Sequence, residues 1–563
     1  MERPWLKNYE PLVPPHLEYP QCPLYCNLDE SARKYPDAIA TIFMDAKLTY
    51  AQLSALADRF AAALQGLGVK KGDRVAIYVA NCPQFIAGYY GALKAGAIVV
   101  PFNPLYAARE VEHQLKDSGA ETMLAMSRFY PIVKEVRART PLKNLVLTNI
   151  KEYFPPIVKF LFTLAKEKHA GDRQDIAGEP NTYWFQDLVS KAPAQPAPVE
   201  VLSGDTAVLL YTGGTTGVPK GAELTHANIM ANAVMCRAWT HDIREAKEIG
   251  LVALPLYHSF GMTTCMNLCV LTAGAMLLVP DPRDIPGMMK MINKHHPTLF
   301  PGVPTMYVAF NNFSDIGKYD VKSIRACISG AAGLPVEVQT RFQELTGGHL
   351  VEGFGLSEAS PVTHGNPVFG KNKIGTIGLP FPDTEARIMD VETGTKELAP
   401  GEVGELVIRG PQVMKGYWNM PKETAIALRD GWLYTGDIAT MDEEGYFKIV
   451  DRKKDMIIAG GFNIYPRDVE EVLYQNPKVK EVVVAGIPDQ YRGETVKAYI
   501  ILKEGQTATE EEIIQWCRGK IAKYKVPTAV EFRQELPKTM VGKILRRMLV
   551  EEEKARMAEK AKE

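Results

Sequence analysis

Apolar residues alternate between two spacings in the first part of the chain. Residues 53–67 carry them at helical intervals and stop at Gly66 and Gly68. RVAIYVA (74–80) is a near-continuous apolar run, FIAGYYGALKAG (85–96) is helical again, and AIVVPFN (97–103) is once more continuous. The spacing predicts helix, strand, helix, strand. Strands apolar on both faces and joined through helices predict a parallel-type sheet with helices flanking it. The rhythm resumes after 205, with strands predicted at TAVLLYT (206–212), GLVALP (250–255), AMLLVP (275–280), ACISGAA (326–332) and HLVEGFG (349–355). Several of these run straight into Gly-rich turns, and in open α/β sheets ligands bind at such carboxyl ends.

Two stretches depart from this pattern. Between Leu251 and Pro280 there is no formally charged residue, yet Pro255, His258, Asn267, several Thr and two Gly interrupt it. It reads as strand, loop, helix and strand of a buried core rather than a membrane span. KEYFPPIVKFLFTLAKEKHAG (151–171) is an apolar patch flanked by lysines and followed by an Ala/Pro-rich linker. It reads equally as a surface element that touches lipid and as an insertion packing on its own domain.

From about 375 short strands alternate with Gly, Pro and acidic turns, which predicts a small distorted barrel. After Asp451 a compact α+β unit is predicted. Its parts are a helix near 467–475, strands VVVAGIP and VKAYIIL, a helix near 510–522, strand TAVEFRQ and a charged helix from Ile544 to Lys560. The expected fold class is therefore α/β. A large domain spans 1–451, with sheet regions at about 1–200 and 201–374 and a barrel at about 375–451. A small mobile α+β cap spans 452–563.

Composition narrows the function classes. With 563 residues the chain is long enough for several domains. An apolar fraction of 46% with a net charge of −1 excludes a disordered chain, and the charge balance excludes a strongly basic nucleic-acid binder. The eight cysteines show no CxxC pair or zinc spacing, so Cys22/Cys26 and Cys265/Cys269 are expected to be buried apolar residues in a reducing cytoplasm. The N-terminus lacks the apolar core of a signal peptide.

The most informative string is Tyr211-Thr-Gly-Gly-Thr-Thr-Gly-Val-Pro-Lys-Gly221. Glycines expose backbone N–H groups, threonines add hydroxyls and Lys220 closes the loop, a set suited to a polyphosphate. It does not fit the Walker A register, which disfavours a Walker-type NTPase. Five more strings follow in order: Leu254-Pro-Leu-Tyr-His-Ser-Phe-Gly261, Gly353-Phe-Gly-Leu-Ser-Glu358, Tyr434-Thr-Gly-Asp437, Asp451-Arg-Lys-Lys-Asp455 and Pro537-Lys-Thr-Met-Val-Gly-Lys543. Together the six resemble the motifs of the adenylate-forming enzymes: acyl-CoA synthetases, luciferases and peptide-synthetase adenylation domains. The resemblance covers nearly the whole chain and is strongest to long- or medium-chain fatty-acid–CoA ligases, with Gly213 where many relatives carry Ser.

The resemblance implies a two-step reaction: MgATP and a fatty acid give an acyl-adenylate, which coenzyme A converts to acyl-CoA. It implies catalytic roles for Lys543, His258, Lys220 and Glu358. ATP or AMP would be held by Thr212, Gly213, Gly214, Thr215, Thr216, Gly217, Lys220, Gly330, Ala331, Ala332, Glu352, Gly353, Phe354, Gly355, Ser357, Asp437, Arg452, Lys454 and Lys543. Magnesium would fall to Glu358 and Thr212. The acyl group would lie near His258, Phe260, Gly261, Met262, Gly302, Val303 and Thr363. The turn Ala459-Gly460-Gly461 would admit CoA, and Lys454 would be the hinge. Ile458 stands where some relatives carry Lys. Expected partners are therefore the small molecules fatty acid, ATP and CoA, in a monomer or homodimer. Transfer of the acyl group to a carrier protein, and a catalytically silent lipid- or nucleotide-binding relative, are the competing readings.

Overall fold

The computed structural model describes residues 3–212, 219–459, 462–489, 491–538 and 544–560. It divides into two compact units. One comprises 5–385 with 409–433; the other comprises 1–4, 386–408 and 434–563.

The larger unit is built on an eight-stranded sheet. Its order is Gly416–Tyr417, Lys220–Thr225, Thr206–Thr212, Ile98–Pro101, Arg74–Tyr78, Thr122–Met126, Asn144–Thr148 and Thr182–Trp184. From Thr206–Thr212 to Thr182–Trp184 every pairing is parallel. The sheet as a whole is mixed, however. Thr206–Thr212 and Lys220–Thr225 form an antiparallel hairpin around the Gly/Thr string, and Gly416–Tyr417 adds antiparallel to it. The apolar strands pack their faces against helices; Tyr78, Val100, Phe102, Met123 and Leu145 lie in one buried cluster.

Local signals fix the helices. Tyr50–Gly66 starts on a capping box, in which Gln52 N–H donates to Thr49 Oγ1 at 3.2 Å and Thr49 N–H to Gln52 Oε1 at 2.9 Å. The helix Pro83–Lys94 is buried along its whole length, which explains its lack of a polar face. Its last residue, Lys94, pairs at 2.5 Å with both Asp29 and Asp58, so one buried ammonium ties three helices together.

A second pair of sheets carries most of the remaining strands of this unit. Ile249–Val252, Ala275–Leu278, Ile39–Phe43 and Ala46–Thr49 form one; Ala326–Ser329, His349–Gly355, Val362–Gly365 and Leu379–Pro380 form the other. Isolated bridges from Gly250 to Leu299, Leu299 to Ala326 and Gly302 to Ser329 link them. The uncharged stretch folds as the strand Ile249–Val252, a buried helical run Gly261–Asn267 continuing to Leu271, and the strand Ala275–Leu278. It is core, as its polar interruptions imply. The strand expected over 326–332 ends at Ser329, because Ala331 turns to φ +69°.

In the other unit, Trp432–Met441 pairs antiparallel with Phe447–Arg452, bringing Asp437 opposite Arg452. A five-stranded sheet follows, in which Val479–Asp489 and Gly493–Leu502 form a long hairpin. Its core gathers Ile464, Val469, Leu473, Val484, Ile500 and Ile513 beneath the helices Pro466–Tyr474 and Glu510–Cys517. The helix expected to reach 522 stops at Cys517, since Arg518 is extended and Gly519 adopts φ +80°. All eight cysteines are free; Cys265 and Cys269 are buried as expected, whereas Cys22 and Cys26 are only half-buried. No described helix is long and apolar enough to cross a membrane.

Candidate active site

Four segments of the larger unit converge on the exit of the Gly/Thr hairpin. Lys220 opens the strand Lys220–Thr225 and is almost buried. Its ammonium forms an ion pair with Glu423 and lies 5.3 Å from the centre of the Tyr417 ring. Tyr417 donates its hydroxyl to Glu358 Oε1 at 2.8 Å. Burial, then the adjacent Glu358 carboxylate, push the Tyr417 phenol well above its ordinary range, so it stays a donor. The chain Glu423–Lys220–Tyr417–Glu358 thus holds one cation between a carboxylate and an aromatic ring whose hydroxyl fixes a second carboxylate.

Glu358 sits in a short turn, Ser357–Ala359, directly after the strand His349–Gly355. Its backbone carbonyl accepts from Met414 N–H at 2.8 Å, and Ser360 donates to the Gln412 carbonyl at 2.9 Å. The histidine loop is fastened to the same turn. Ser259 and Ser357 share a hydrogen bond of 3.2 Å, and Thr263 donates to the Ser360 carbonyl at 2.6 Å. His258 is half-exposed; its Nδ1 accepts from Phe260 N–H at 3.3 Å.

The small residues of this region are set by close approach. A Cβ on Gly261 would stand 2.3 Å from the Pro255 carbonyl oxygen, and one on Gly330 would stand 3.0 Å from the Phe260 ring. Gly330 N–H donates to the Gly302 carbonyl at 3.1 Å. Glu352 accepts from Leu334 N–H at 3.3 Å, which braces the turn containing Ala331 and Ala332. Gly353 pairs with Gly365 and Phe354 with His364 in the neighbouring strand. A Cβ on Gly355 would be 2.3 Å from the Pro361 carbonyl oxygen. Thr363 is buried and shares a hydrogen bond of 2.9 Å with His364, whose full burial pulls its imidazole down to about 3.

A small cavity of about 50 Å³, partly open to solvent, is lined by Trp239, Thr264, Leu268, Pro301, Cys327 and Phe381 among others. The seven acyl candidates do not themselves line it. Two of its walls adjoin them in the chain: Pro301 precedes Gly302, and Thr264 follows the buried Met262 by two residues. Val303 is buried at the start of the next helix, Pro304–Asn311.

Within the other unit Asp437 is buried and pairs with Arg452 Nε at 2.7 Å. The turn ahead of it is held by Gly436 N–H to Glu405 Oε1 at 3.1 Å and by Lys453 to Glu405 Oε2 at 2.8 Å. Lys454 follows in the turn Lys453–Asp455; partial desolvation lowers its ammonium, with Asp455 opposing and Arg452 reinforcing the shift. Arg546, at the start of the last helix, pairs with Asp455 at 2.9 Å and Glu470 at 2.7 Å. Ala459 is buried beside Gly493. Gly213, Gly214, Thr215, Thr216, Gly217, Gly460, Gly461 and Lys543 lie outside the described residues, as does the side chain of Thr212.

Residues 28–418 match the family described as AMP-binding enzyme, and 468–543 match its C-terminal domain. The chain belongs to the AMP-binding enzyme family. This AMP-binding enzyme is 48% identical over 556 residues to a long-chain-fatty-acid–CoA ligase of Bacillus subtilis, covering 98% of each chain. It is 40% identical over 574 residues to one of Escherichia coli O157:H7, covering 100% of each. Among solved structures, ATP-bound MatB from Rhodopseudomonas palustris superposes with a TM-score of 0.82 at 28% identity, over 95% of this chain and 99% of that one. A Mycobacterium tuberculosis fatty acyl CoA synthetase gives 0.71 at 28% identity, over 95% and 98%.

Sequence reading of this AMP-binding enzyme missed Tyr417, Glu423 and Ser259 as parts of the site. Ser259 lies within the histidine-loop string, next to His258. Tyr417 lay in a run read only as strand, and nothing in its spacing ties it to a carboxylate 59 positions earlier.

Proposed function

We propose that this protein activates a fatty acid with ATP through an acyl-adenylate and transfers the acyl group to coenzyme A. The observation that carries this reading is the end-to-end similarity to proteins named long-chain-fatty-acid–CoA ligases, combined with retention of Lys220, Glu358, Asp437, Arg452 and Lys543. In the first half a carboxylate oxygen attacks the α-phosphorus, a new P–O bond forms, and the bond to pyrophosphate breaks. Such a transfer is mainly positioning and charge stabilisation, which Lys220 and Lys543 supply. In the second half the CoA sulfur attacks the acyl carbon, AMP leaves, and the thiol proton passes to solvent. No protein nucleophile is needed.

Asp437 would accept from the ribose hydroxyls, oriented by Arg452. Ser357 would contact the α-phosphate, and the backbone of Gly330, Ala331 and Ala332, with Glu352, Gly353, Phe354 and Gly355, would border the adenine. Among the described residues no three His, Cys, Asp or Glu gather as a metal cage. Mg²⁺ needs only one or two carboxylates when substrate phosphates complete its shell, and the half-buried Glu358 fits that requirement; Thr212 would add its hydroxyl. When bound, the ion would neutralise phosphate charge. His258 would face the acyl carboxylate, and the apolar region beyond Gly302 and Met262 would take the alkyl chain, each buried CH₂ contributing about 0.8 kcal/mol. Lys543 would serve adenylation and the Ala459-Gly460-Gly461 turn thioester formation, with Lys454 as the hinge that exchanges them. The protein would act as a monomer or homodimer in the cytoplasm.

A pyrophosphate-release assay across a chain-length series, with and without CoA, tests the reading. Release that requires a fatty acid, with CoA consumed one for one, supports it. Turnover that ignores CoA but proceeds with an acyl carrier protein would move the acceptor, and absence of turnover with every carboxylic acid would revive the silent relative.

A further inference from the structure

The helix Pro156–Ala165 inverts the usual order of a surface helix. Ile157, Phe160, Leu161 and Leu164 fall at i, i+3, i+4 and i+7 and form one apolar stripe. A stripe of this kind normally faces the core. Here the four side chains are 75%, 63%, 57% and 70% exposed, and the helix has no fully buried residue. It is nevertheless held in a defined orientation. Phe162, on the other side, packs edge-on against Phe154 at 5.4 Å, and Phe154 packs on Phe43 at 5.6 Å. Thr163 accepts from Lys151 Nζ at 3.0 Å and donates to the Lys159 carbonyl at 2.7 Å.

The charges around the stripe are sorted by sign. The acidic groups turn inward: Glu167 is buried against Lys151 at 2.7 Å and Asn149 at 2.9 Å, and Asp172 is buried against Arg128 at 2.6 Å. Glu152 accepts from Thr148 at 2.6 Å and from Asn149 N–H at 2.8 Å. Lys159, Lys166 and Lys168 remain exposed, and among the described residues none of them enters an ion pair. The outward surface is therefore an apolar stripe flanked by unneutralised ammonium groups.

We propose that this face docks the protein on the surface of an anionic phospholipid bilayer, with the four apolar side chains entering the acyl boundary and the three lysines meeting lipid phosphates. An apolar stripe with lysines around it is the charge pattern of an interfacial helix, and ten residues are too few to span. A second copy of this chain would supply apolar area but no matching negative charge from this face. The choice of a bilayer also draws on the proposed acyl substrate, which partitions into lipid; the docking itself is independent of catalysis.

The test is co-sedimentation of the full chain with vesicles of phosphatidylcholine alone and with about one-third phosphatidylglycerol, at low and high salt, read beside turnover of a water-soluble short-chain acid. The wild type is expected to pellet with the anionic vesicles and to be released by salt. Phe160→Glu with Leu164→Glu should abolish pelleting without changing short-chain turnover. Neutralising Lys159, Lys166 and Lys168 to Gln should weaken anionic binding by roughly fivefold per lysine. Wild-type protein that stays in the supernatant, or a glutamate variant that pellets equally, would overturn the proposal. So would a wild-type dimer that the same glutamates split while vesicle binding is absent, since the face would then be a self-association surface. Wild-type protein that pellets with anionic vesicles but turns over no carboxylic acid of any chain length would count against the enzymatic reading and leave the docking result standing.

Discussion

Tyr417 stands between two charges of the candidate site, with its ring under Lys220 and its hydroxyl on Glu358. Replacing it by Phe removes a hydrogen bond to a charged acceptor, worth about 1.5–3 kcal/mol. Tyr417→Phe is therefore expected to lower the adenylation rate by about tenfold and to raise the magnesium concentration needed for half-activity. Glu358→Gln should abolish adenylation with little change in melting temperature. An unchanged magnesium dependence in the Phe variant would reduce Tyr417 to a packing residue. Two buried histidines set a different residue-scale effect. Burial lowers His226 to about 4 and His364 to about 3, against 6.5 when unfolded. The unfolded chain binds protons first as pH falls, so the stability these groups contribute is whole above about pH 6.5 and is lost towards pH 4 and 3. The slope reaches about 1.4 kcal/mol per pH unit for each histidine. His226→Asn keeps an acceptor for the Leu24 N–H, which bonds Nδ1 at 3.1 Å, and should flatten the slope in acid-unfolding titrations between pH 4 and 6.5.

At the scale of elements, the histidine loop and the Glu358 turn are locked by backbone proximity rather than by side-chain bulk. Gly261→Ala would drive a methyl into the Pro255 carbonyl at 2.3 Å. Overpacking of this kind costs about 1–3 kcal/mol, so a drop of several degrees in melting temperature is expected. Gly317→Ala, with open space around its Cβ, should be neutral. Equal melting temperatures would show that the loop shifts to accept the methyl. Much of this element level is visible in the sequence. Continuous apolar runs at 74–80, 206–212 and 349–355 locate strands because a strand covered on both faces has no polar side to show. The strand ends are less visible, since Ala331 turns to a positive φ that nothing in its side chain announces. The antiparallel pairing of Gly416–Tyr417 with Lys220–Thr225 is a contact across almost 200 residues, and local spacing carries no record of it.

At the scale of the whole molecule, the six strings make the reaction legible because each carries a charge or a glycine whose role is chemical. Asp437 beside Arg452 and Lys220 beside Tyr417 give three of these strings a physical setting. The partners Glu423 and Tyr417 are illegible because a lone acid looks like ordinary surface and a tyrosine in a short strand looks like ordinary packing. The outward stripe at 157–164 was legible as an amphipathic patch, but only the structure shows which way it faces. The division of labour assigned to Lys543 gives a whole-molecule prediction. Lys543→Ala should lose adenylation by two orders of magnitude or more, while thioester formation from supplied acyl-AMP largely survives. Equal loss of both halves, measured by quenched-flow product analysis, would remove the assignment.

The central claim is that the acyl group passes through an adenylate to CoA. The most direct measurement mixes excess enzyme with MgATP and a labelled long-chain fatty acid, quenches without CoA, and then chases with CoA. The account predicts one equivalent of acyl-AMP and pyrophosphate before the chase, and conversion of that acyl-AMP to acyl-CoA and AMP after it. Formation of ADP and phosphate, or an acyl-AMP pool that CoA leaves untouched, would contradict it.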